Sequence, residues 1–323
     1  MTVDGNRPSP TPASSRLRRA EALAAVGFLL PNVIGFLVFT LLPVIAAFAL
    51  SLTDYDLSRL STGAHFVGLR NFVQLLGFHS ESGGLVPNDR EFWQYLGNTL
   101  FLMLGLPLNI IGAFLLALLL NRRLRGVTLF RTIYFLPTVA SAVAVCVLWR
   151  WIFHYQPDQI GLLDSLLLRL GLSHPPAWLD SRLWAKPAFI IMGLWTGLGG
   201  YNCILFLAGL QNIPEELYEA AELDGAGAWA RLRHITWPLL TPTTFFIITM
   251  SIIAGFQGGF VAAYLMTGGG PAGATTTLML YIYNHAFAWK QMGYAAAVAV
   301  VLFGLVFGFT LVHWRLGRRV VFQ

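Results

Sequence analysis

Six stretches of this chain are apolar for about as long as a bilayer is thick, and that constrains the fold before any motif is read. They cover approximately residues 22–50, 97–120, 130–152, 188–210, 239–266 and 294–314. About 20 apolar residues cross the hydrocarbon core as a helix. In lipid, backbone groups must be paired within the segment or around a closed barrel. The alternating pattern of barrel strands is missing, so the expected fold is an all-α integral membrane protein with six transmembrane helices. Composition agrees: 56% of residues are hydrophobic and 11% charged, against about 25% charged in soluble domains.

Six crossings place both termini on one side. That side collects Arg7, Arg16, Arg18, Arg19, Arg122, Arg123, Arg125, Arg131, Arg231, Arg233, Arg315, Arg318 and Arg319. The other side holds eight basic residues spread over longer loops: Arg59, Arg70, Arg90, Arg150, Arg169, Arg182, Lys186 and Lys290. Short basic loops stay in the cytoplasm, so both termini and the loop after the fourth span are assigned there. The net charge of +6 is thus a topology signal rather than a nucleic-acid footprint. Residues 1–20 read as a disordered cytoplasmic tail and 21–323 as the six-helix transmembrane domain. The Ala47-Phe48-Ala49 triplet resembles a cleavage site, but the apolar run before it is longer than a signal core, so the first span is expected to be retained. Cys146 and Cys203 lie inside apolar runs without metal or disulfide spacing.

The outer loops are long, about 51–96, 153–187 and 267–293. In the second, Leu162, Leu163, Leu166, Leu167 and Leu170 recur at helical spacing, with Asp164 and Arg169 elsewhere on the helix. A helix lying on the membrane surface is expected there, and a platform for an external partner is the alternative.

Span interiors carry no Asp, Glu or Lys, and Arg150 lies at the outer end of the third. Ion-coupled carriers usually hold ionisable groups at membrane depth. Uncharged polar and aromatic residues are present instead. Trp195, Tyr201, Asn202, Phe256, Gln257 and Tyr264 form the candidate substrate path, with Asn109 and Thr196 near it. Such groups suit a neutral polyol or sugar; for any one of them taken singly, helix–helix packing is the favoured account, and the absence of charge across the set is the stronger signal. Gly197, Gly199, Gly200, Gly255, Gly258 and Gly259 allow close contact or local unwinding.

The loop at 212–237 is the chain's most distinctive polar segment. Asn212-Ile213-Pro214-Glu215-Glu216 is a helix start, with proline and acids in the first turn. The helix should end at Asp224-Gly225, a second short helix should run from Ala228 to about Ile235, and Pro238 and Pro242 should open the next span. The product is a helical hairpin. Glu219, Ala220, Ala221, Asp224, Gly225, Ala226, Ile235 and Pro238 make a pattern that resembles the coupling motif of ABC importer permeases. Phe130-Arg131-Thr132-Ile133-Tyr134-Phe135-Leu136-Pro137 and Thr267-Gly268-Gly269-Gly270-Pro271 are similar to segments of the carbohydrate-uptake class, on its MalF/UgpA-like side. Trp237, Leu232 and Val261 depart from that class.

The resemblance implies a type I ABC importer permease fold in the bacterial cytoplasmic membrane. It implies a second homologous permease, two ABC ATPase subunits holding ATP and Mg, and an extracytoplasmic solute-binding protein. No cofactor and no metal is expected in this chain: Gly268-Gly269-Gly270 lacks the Lys-Ser/Thr of a phosphate loop, so the chain is not expected to be an enzyme. A sugar such as a trehalose- or maltose-type disaccharide, an oligosaccharide or a glycerol-3-phosphate-like solute would be carried. A secondary carrier for a neutral polar solute, or a membrane scaffold, is the alternative, and the hairpin distinguishes the first reading from both.

Overall fold

A computed structural model describes residues 12–59, 63–81, 83–122, 125–156 and 159–321. Among the described residues, four helices are long and apolar enough to cross a membrane: Ala20–Ser51, Arg90–Leu120, Ala228–Thr267 and Met292–Gly317. Two further crossings are bent pairs, Val127–Val139 with Ala142–Ile152 at 95° and Ala185–Gly197 with Tyr201–Gln211 at 41°. Each expected apolar segment thus has its helix or helix pair, and they are called the first to sixth spans below. Strands are confined, among the described residues, to two short loop hairpins, Phe78–Glu81 with Gly84–Pro87 and Tyr155–Gln156 with Gln159–Ile160.

Residues 1–11 of the expected tail lie outside the described residues. Residues 12–20 are not a tail, because the first helix already begins at Pro12. Proline suits a first helical turn, and the Ala-, Leu- and Arg-rich sequence that follows has high helix propensity.

The expected single third span is broken. Pro137 lacks the N–H that would bond one turn back, and Ala140 and Ser141 turn extended (ψ 144° and 134°) before the second half starts at Ala142. In the fourth span the break falls on Gly197–Gly200, where Gly200 is extended. The fifth kinks at Gly258-Gly259, with Gly259 at φ +78°, a backbone conformation that costs a side-chain-bearing residue roughly 1–2 kcal/mol.

The fifth helix also starts earlier than expected. Ala228–Thr267 is one helix of 40 residues, so the second arm of the hairpin and the fifth span are continuous. A wide turn at Leu232–Thr236, with Trp237 N–H bonded to Leu232 C=O, admits Pro238 without ending the helix, as single π-turns do.

Three buried clusters hold the bundle. Ala113, Phe114 and Ala117 of the second span meet Cys203, Phe206 and Leu210 of the fourth at the hairpin end. Val145, Cys146 and Trp149 meet Ala188, Phe189, Ala262 and Ala263 toward the loop end. Phe256, Leu278, Tyr281 and Val298 knit the fifth and sixth spans to the third outer loop. Small residues at such crossings let backbones approach, which is what holds helices together where lipid offers no hydrophobic drive. The first span is different. Its most apolar window is 0% buried, and it leans on the sixth span, where Phe48 meets Phe303 edge-on.

The loop helix at Leu162–Arg169 forms where expected, but its faces are distributed otherwise. Asp164 is completely buried, whereas Leu162, Leu166 and Leu170 are exposed. Leu163 and Leu167 pack on the core, so the inward face carries the carboxylate between them. Trp178 supplies the reason: its Nε1–H donates to Asp164 Oδ1 at 2.8 Å. Burial raises the Asp164 carboxyl above its ordinary value, and the Trp178 bond opposes that.

Candidate functional site

The hairpin is built from backbone rules. Its first helix, Glu215–Leu223, carries Glu215 and Glu216 in the first turn and buries no side chain. It ends in two bonds, Gly225 N–H to Glu222 C=O at 3.0 Å and Ala226 N–H to Ala221 C=O at 2.8 Å. That is the Schellman arrangement, and it puts Gly225 at φ +77°. The Ala-Ala, Asp-Gly-Ala spacing is therefore a helix-termination signal at the level of local structure. Two side-chain contacts lock the arms: the Tyr218 and Thr236 hydroxyls lie 2.9 Å apart, and Arg231 pairs with Glu222.

Among the expected coupling residues, Glu219, Ala220, Asp224, Gly225 and Pro238 are exposed, and Ala221, Ala226 and Ile235 half-buried. The motif did not signal Leu223 and Trp229, which are 90% and 72% exposed beside it. An indole between Gly227 and Arg231 in a polar loop was the available clue. Bare apolar side chains on a polar protrusion mark a contact surface. Leu232 packs under the inner cluster and Trp237 meets Phe114 edge-on at 5.6 Å. Neither residue therefore lies on the first hairpin helix, Glu215–Leu223.

The second element is a cavity of about 750 Å³ bounded by the second, third, fourth and fifth spans. Interruptions in four spans border it: Gly105, Pro137 with Thr138 and Ala140, Gly197, and Gly258-Gly259 line the wall. Irregular backbone at membrane depth is tolerated where it lines a cavity. Breaks in the third and fourth spans also fit each other. Thr138 Oγ1 donates to Thr196 C=O at 3.0 Å, and a Cβ on Gly199 would collide with the Tyr134 carbonyl.

The polar groups of the wall are Thr99, Asn109, Thr138, Thr196, Gln257 and Thr277, and no lining residue is Asp, Glu, Lys, Arg or His. Such a wall can exchange hydrogen bonds with a solute but offers no fixed charge to pair with an ion.

The candidate path residues divide. Gln257 lines this cavity, and Tyr264 lines a second one nearer the loop end. Trp195, Tyr201, Asn202 and Phe256 line neither. Asn202 donates to Asn109 Oδ1 at 3.2 Å and reaches Ser251 Oγ at 3.5 Å, tying the fourth span to the second and fifth. Phe256 is fully buried and packs on Phe309. Trp195 packs edge-on against Trp149, and Tyr201 is 71% exposed. Helix packing, not cavity lining, places Asn202 and Phe256. Thr138 and Thr99 were missed, and the proximity of Pro137 to the glycine breaks was the signal that could have found Thr138.

One helix joins the two elements. Ala228–Thr267 begins in the hairpin at Ala228 and supplies Ala254, Gly255 and Gln257 to the cavity wall.

Comparison with known proteins places this arrangement. Residues 105–321 match the family described as binding-protein-dependent transport system inner membrane component. The probable ABC transporter permease protein YesP of Bacillus subtilis is 35% identical, over 93% of this chain and 92% of its own length. The trehalose/maltose transport system permease protein MalF of Thermococcus litoralis is 34% identical, over 94% of this chain and 97% of its own. A chain of a bacterial alginate ABC transporter, solved in complex with an alginate pentasaccharide-bound periplasmic protein, superposes with a TM-score of 0.77. Its identity is 25%, over 95% of this chain and 97% of that one.

Proposed function

This chain belongs to the family of binding-protein-dependent transport system inner membrane components and is a permease of an ATP-driven sugar importer, from which we propose how its parts divide the work. It lies in a bacterial cytoplasmic membrane with the hairpin inside. A second homologous permease completes the pathway, of which this chain forms half. Two ATPase subunits, holding ATP and Mg, seat the 212–237 hairpin, and an extracytoplasmic solute-binding protein delivers sugar to the outer loops. The chain itself is not an enzyme.

The observation that carries this division is the unbroken helix from the hairpin to the cavity. The coupling motif Glu219, Ala220, Ala221, Asp224, Gly225, Ala226, Ile235 and Pro238 stands at or near its start, and Leu223 and Trp229 add apolar contact area. When the ATPases close, a displacement of the hairpin moves the fifth span directly. The kink at Gly258-Gly259 lies beside the cavity, where such a movement changes access. Gln257, with Asn109 and the threonines of the wall, exchanges hydrogen bonds with the sugar as it passes. An uncharged wall favours neutral saccharides over a phosphorylated solute, because nothing in it offsets the desolvation of an anion.

The test is mass spectrometry of what co-purifies with the tagged chain in mild detergent. A second six-span permease and an ABC ATPase are expected, and their loss is expected when Leu223 and Trp229 are both changed to Ser. Recovery of the chain alone, with sugar flux in liposomes that needs no ATP, would overturn the reading in favour of a secondary carrier.

A further inference from the structure

A second cavity, of about 480 Å³, opens at the loop end. Its wall includes Arg150, Asp180, Tyr264 and Thr267, with backbone of the Gly268–Pro271 turn. Tyr264 is the hinge between this cup and the deeper cavity. It lines the cup, whereas Phe260, one turn earlier on the same helix, lines the deeper cavity. The two rings stack with centroids 5.8 Å apart and planes within 12°. Tyr283 packs against both, at 5.2 Å and 5.4 Å, and Phe287 extends the series at 5.2 Å from Tyr283. Tyr264 is 48% and Phe287 62% exposed. Phe260 and Tyr264 therefore carry aromatic surface from one cavity to the other, while Tyr283 and Phe287 pack beside them and line neither.

We propose that the Arg150–Asp180 cup and the Tyr264–Phe260 aromatic wall form an entry subsite for a neutral saccharide, upstream of the deeper cavity. This rests on the sugar-importer reading. A pyranose ring has an apolar face of C–H groups and a rim of hydroxyls. Flat aromatic faces match the first, and planar guanidinium and carboxylate groups bind adjacent hydroxyls in pairs. Both requirements meet at Tyr264, which lines the cup and begins the aromatic surface.

The sign of the charges narrows the ligand class. Arg150 and Asp180 line one cup, so an anionic sugar would lose to the carboxylate what it gained from the guanidinium. A neutral sugar meets a donor array and an acceptor array together. Arg150 is held in place by the backbone, its Nη1 donating to Leu265 C=O at 3.4 Å, and the guanidinium has further N–H groups for hydroxyls. The stacked rings give the sugar successive faces of the same chemistry, so it can advance from cup to deeper cavity without leaving an aromatic partner.

The test uses the whole complex with its partner subunits, purified in detergent without binding protein, and saturation-transfer NMR with trehalose, lactose and maltotriose. Saturation should reach the pyranose C–H protons of at least one sugar. Tyr264→Ala should weaken that binding roughly tenfold, Tyr264→Phe should keep it, and Arg150→Gln should weaken it about threefold or more. Gln257→Ala, in the deeper cavity, should weaken it less than Tyr264→Ala does. Binding lost in Gln257→Ala but retained in Tyr264→Ala and Arg150→Gln would place the sugar in the deeper cavity and overturn the subsite. So would ATP-driven uptake of a sugar in liposomes supplied with the binding protein, with no change in binding in either cup variant. Neither binding nor ATP-driven uptake of any of the three sugars would sink the sugar reading itself, and the subsite with it.

Discussion

The two ends of this protein handle their polar groups in opposite ways. At the loop end, the turn from Thr267 to Thr277 is saturated from within. Asn98 Nδ2 donates to the carbonyls of Gly273 and Thr276 at 2.8 and 3.0 Å, while Lys186 Nζ donates to Asn98 Oδ1 at 3.2 Å. Thr275 Oγ1 donates to Gly270 C=O and lies 2.6 Å from Thr267 Oγ1. Thr275, Thr276 and Thr277 are all buried. At the hairpin end, backbone bonds terminate the first helix, and its side chains are left facing outward. One region uses side chains to fix its own shape. The other ends its first helix with backbone bonds and, apart from the Tyr218–Thr236 and Glu222–Arg231 contacts, keeps its side chains for a partner. Stability should therefore be sensitive to substitutions at the loop end, and coupling to substitutions in the hairpin.

The largest effect that would break this contrast is at Asn98. Asn98→Leu leaves two inward-facing carbonyls and the Lys186 ammonium without their partner, at about 1–3 kcal/mol for each buried group left unpaired. Thermal unfolding in detergent should show a large drop in midpoint; an unchanged midpoint would mean that the loop does not depend on this hub.

A smaller, opposite effect is expected at Gly225. A Cβ there meets nothing within 4 Å, so Gly225→Val costs only the strain of φ +77°, roughly 1–2 kcal/mol. The unfolding midpoint of the isolated chain should fall slightly, while sugar-stimulated ATPase activity of the complex should collapse. Asn tolerates the left-handed region, so Gly225→Asn should recover much of that activity. Equal loss in both variants would show that any side chain on the surface, rather than the turn, is the problem.

Asp164 and His285 sharpen the comparison through pH. Burial raises the Asp164 carboxyl, so the folded state holds its proton more tightly than the unfolded chain. That contribution is present below the ordinary carboxylate value and is lost as pH rises through the folded value. His285 is shifted downward, first by burial, against opposing contributions from Gln291 and Asp89. Its contribution is present above the ordinary imidazole value near 6.5 and falls away as pH drops from there through the lower folded value. Unfolding midpoints from pH 4 to 8 should accordingly be flatter for His285→Gln on the acidic side of about 6.5. They should be flatter for Asp164→Asn as pH rises above about 4. Slopes identical to the parent would place neither group's titration in the folding equilibrium.

The smallest effect concerns the arms of the hairpin. Tyr218→Phe removes one bond to Thr236, about 1 kcal/mol. Its expected signature is a modest rise in protease cutting near 224–229 with assembly intact. Wild-type cutting would mean that Glu222–Arg231 suffices.

The sequence was read most accurately where chemistry is local. Capping acids, the proline at 214, and the Asp-Gly-Ala stop foretold the hairpin helix, and the structure ends it through Gly225. The six apolar segments foretold six crossings. Continuity was less legible. The third span breaks at Ala140–Ser141, three residues after a Pro137 that stays inside its helix, whereas Pro238 is absorbed by a wide turn, and a proline in the sequence does not say which response its neighbours will permit. The candidate path fared unevenly for a related reason. Gln257 and Asn202 are the same kind of side chain in the same kind of segment, yet one faces a cavity and the other a neighbouring helix.

By itself, the sequence determined what lipid and local backbone demand: the number and order of crossings, uncharged span interiors, and the motif at the start of the fifth helix. Those follow from composition and short-range bonding. Tertiary structure decided which face of each helix looks inward. It sent Asp164 inside and Leu162 outside, gathered the helix breaks around one cavity, and stacked Phe260 on Tyr264 between two. A membrane helix is apolar nearly all round, so its sequence carries little amphipathic signal. Only close packing against neighbours selects the face.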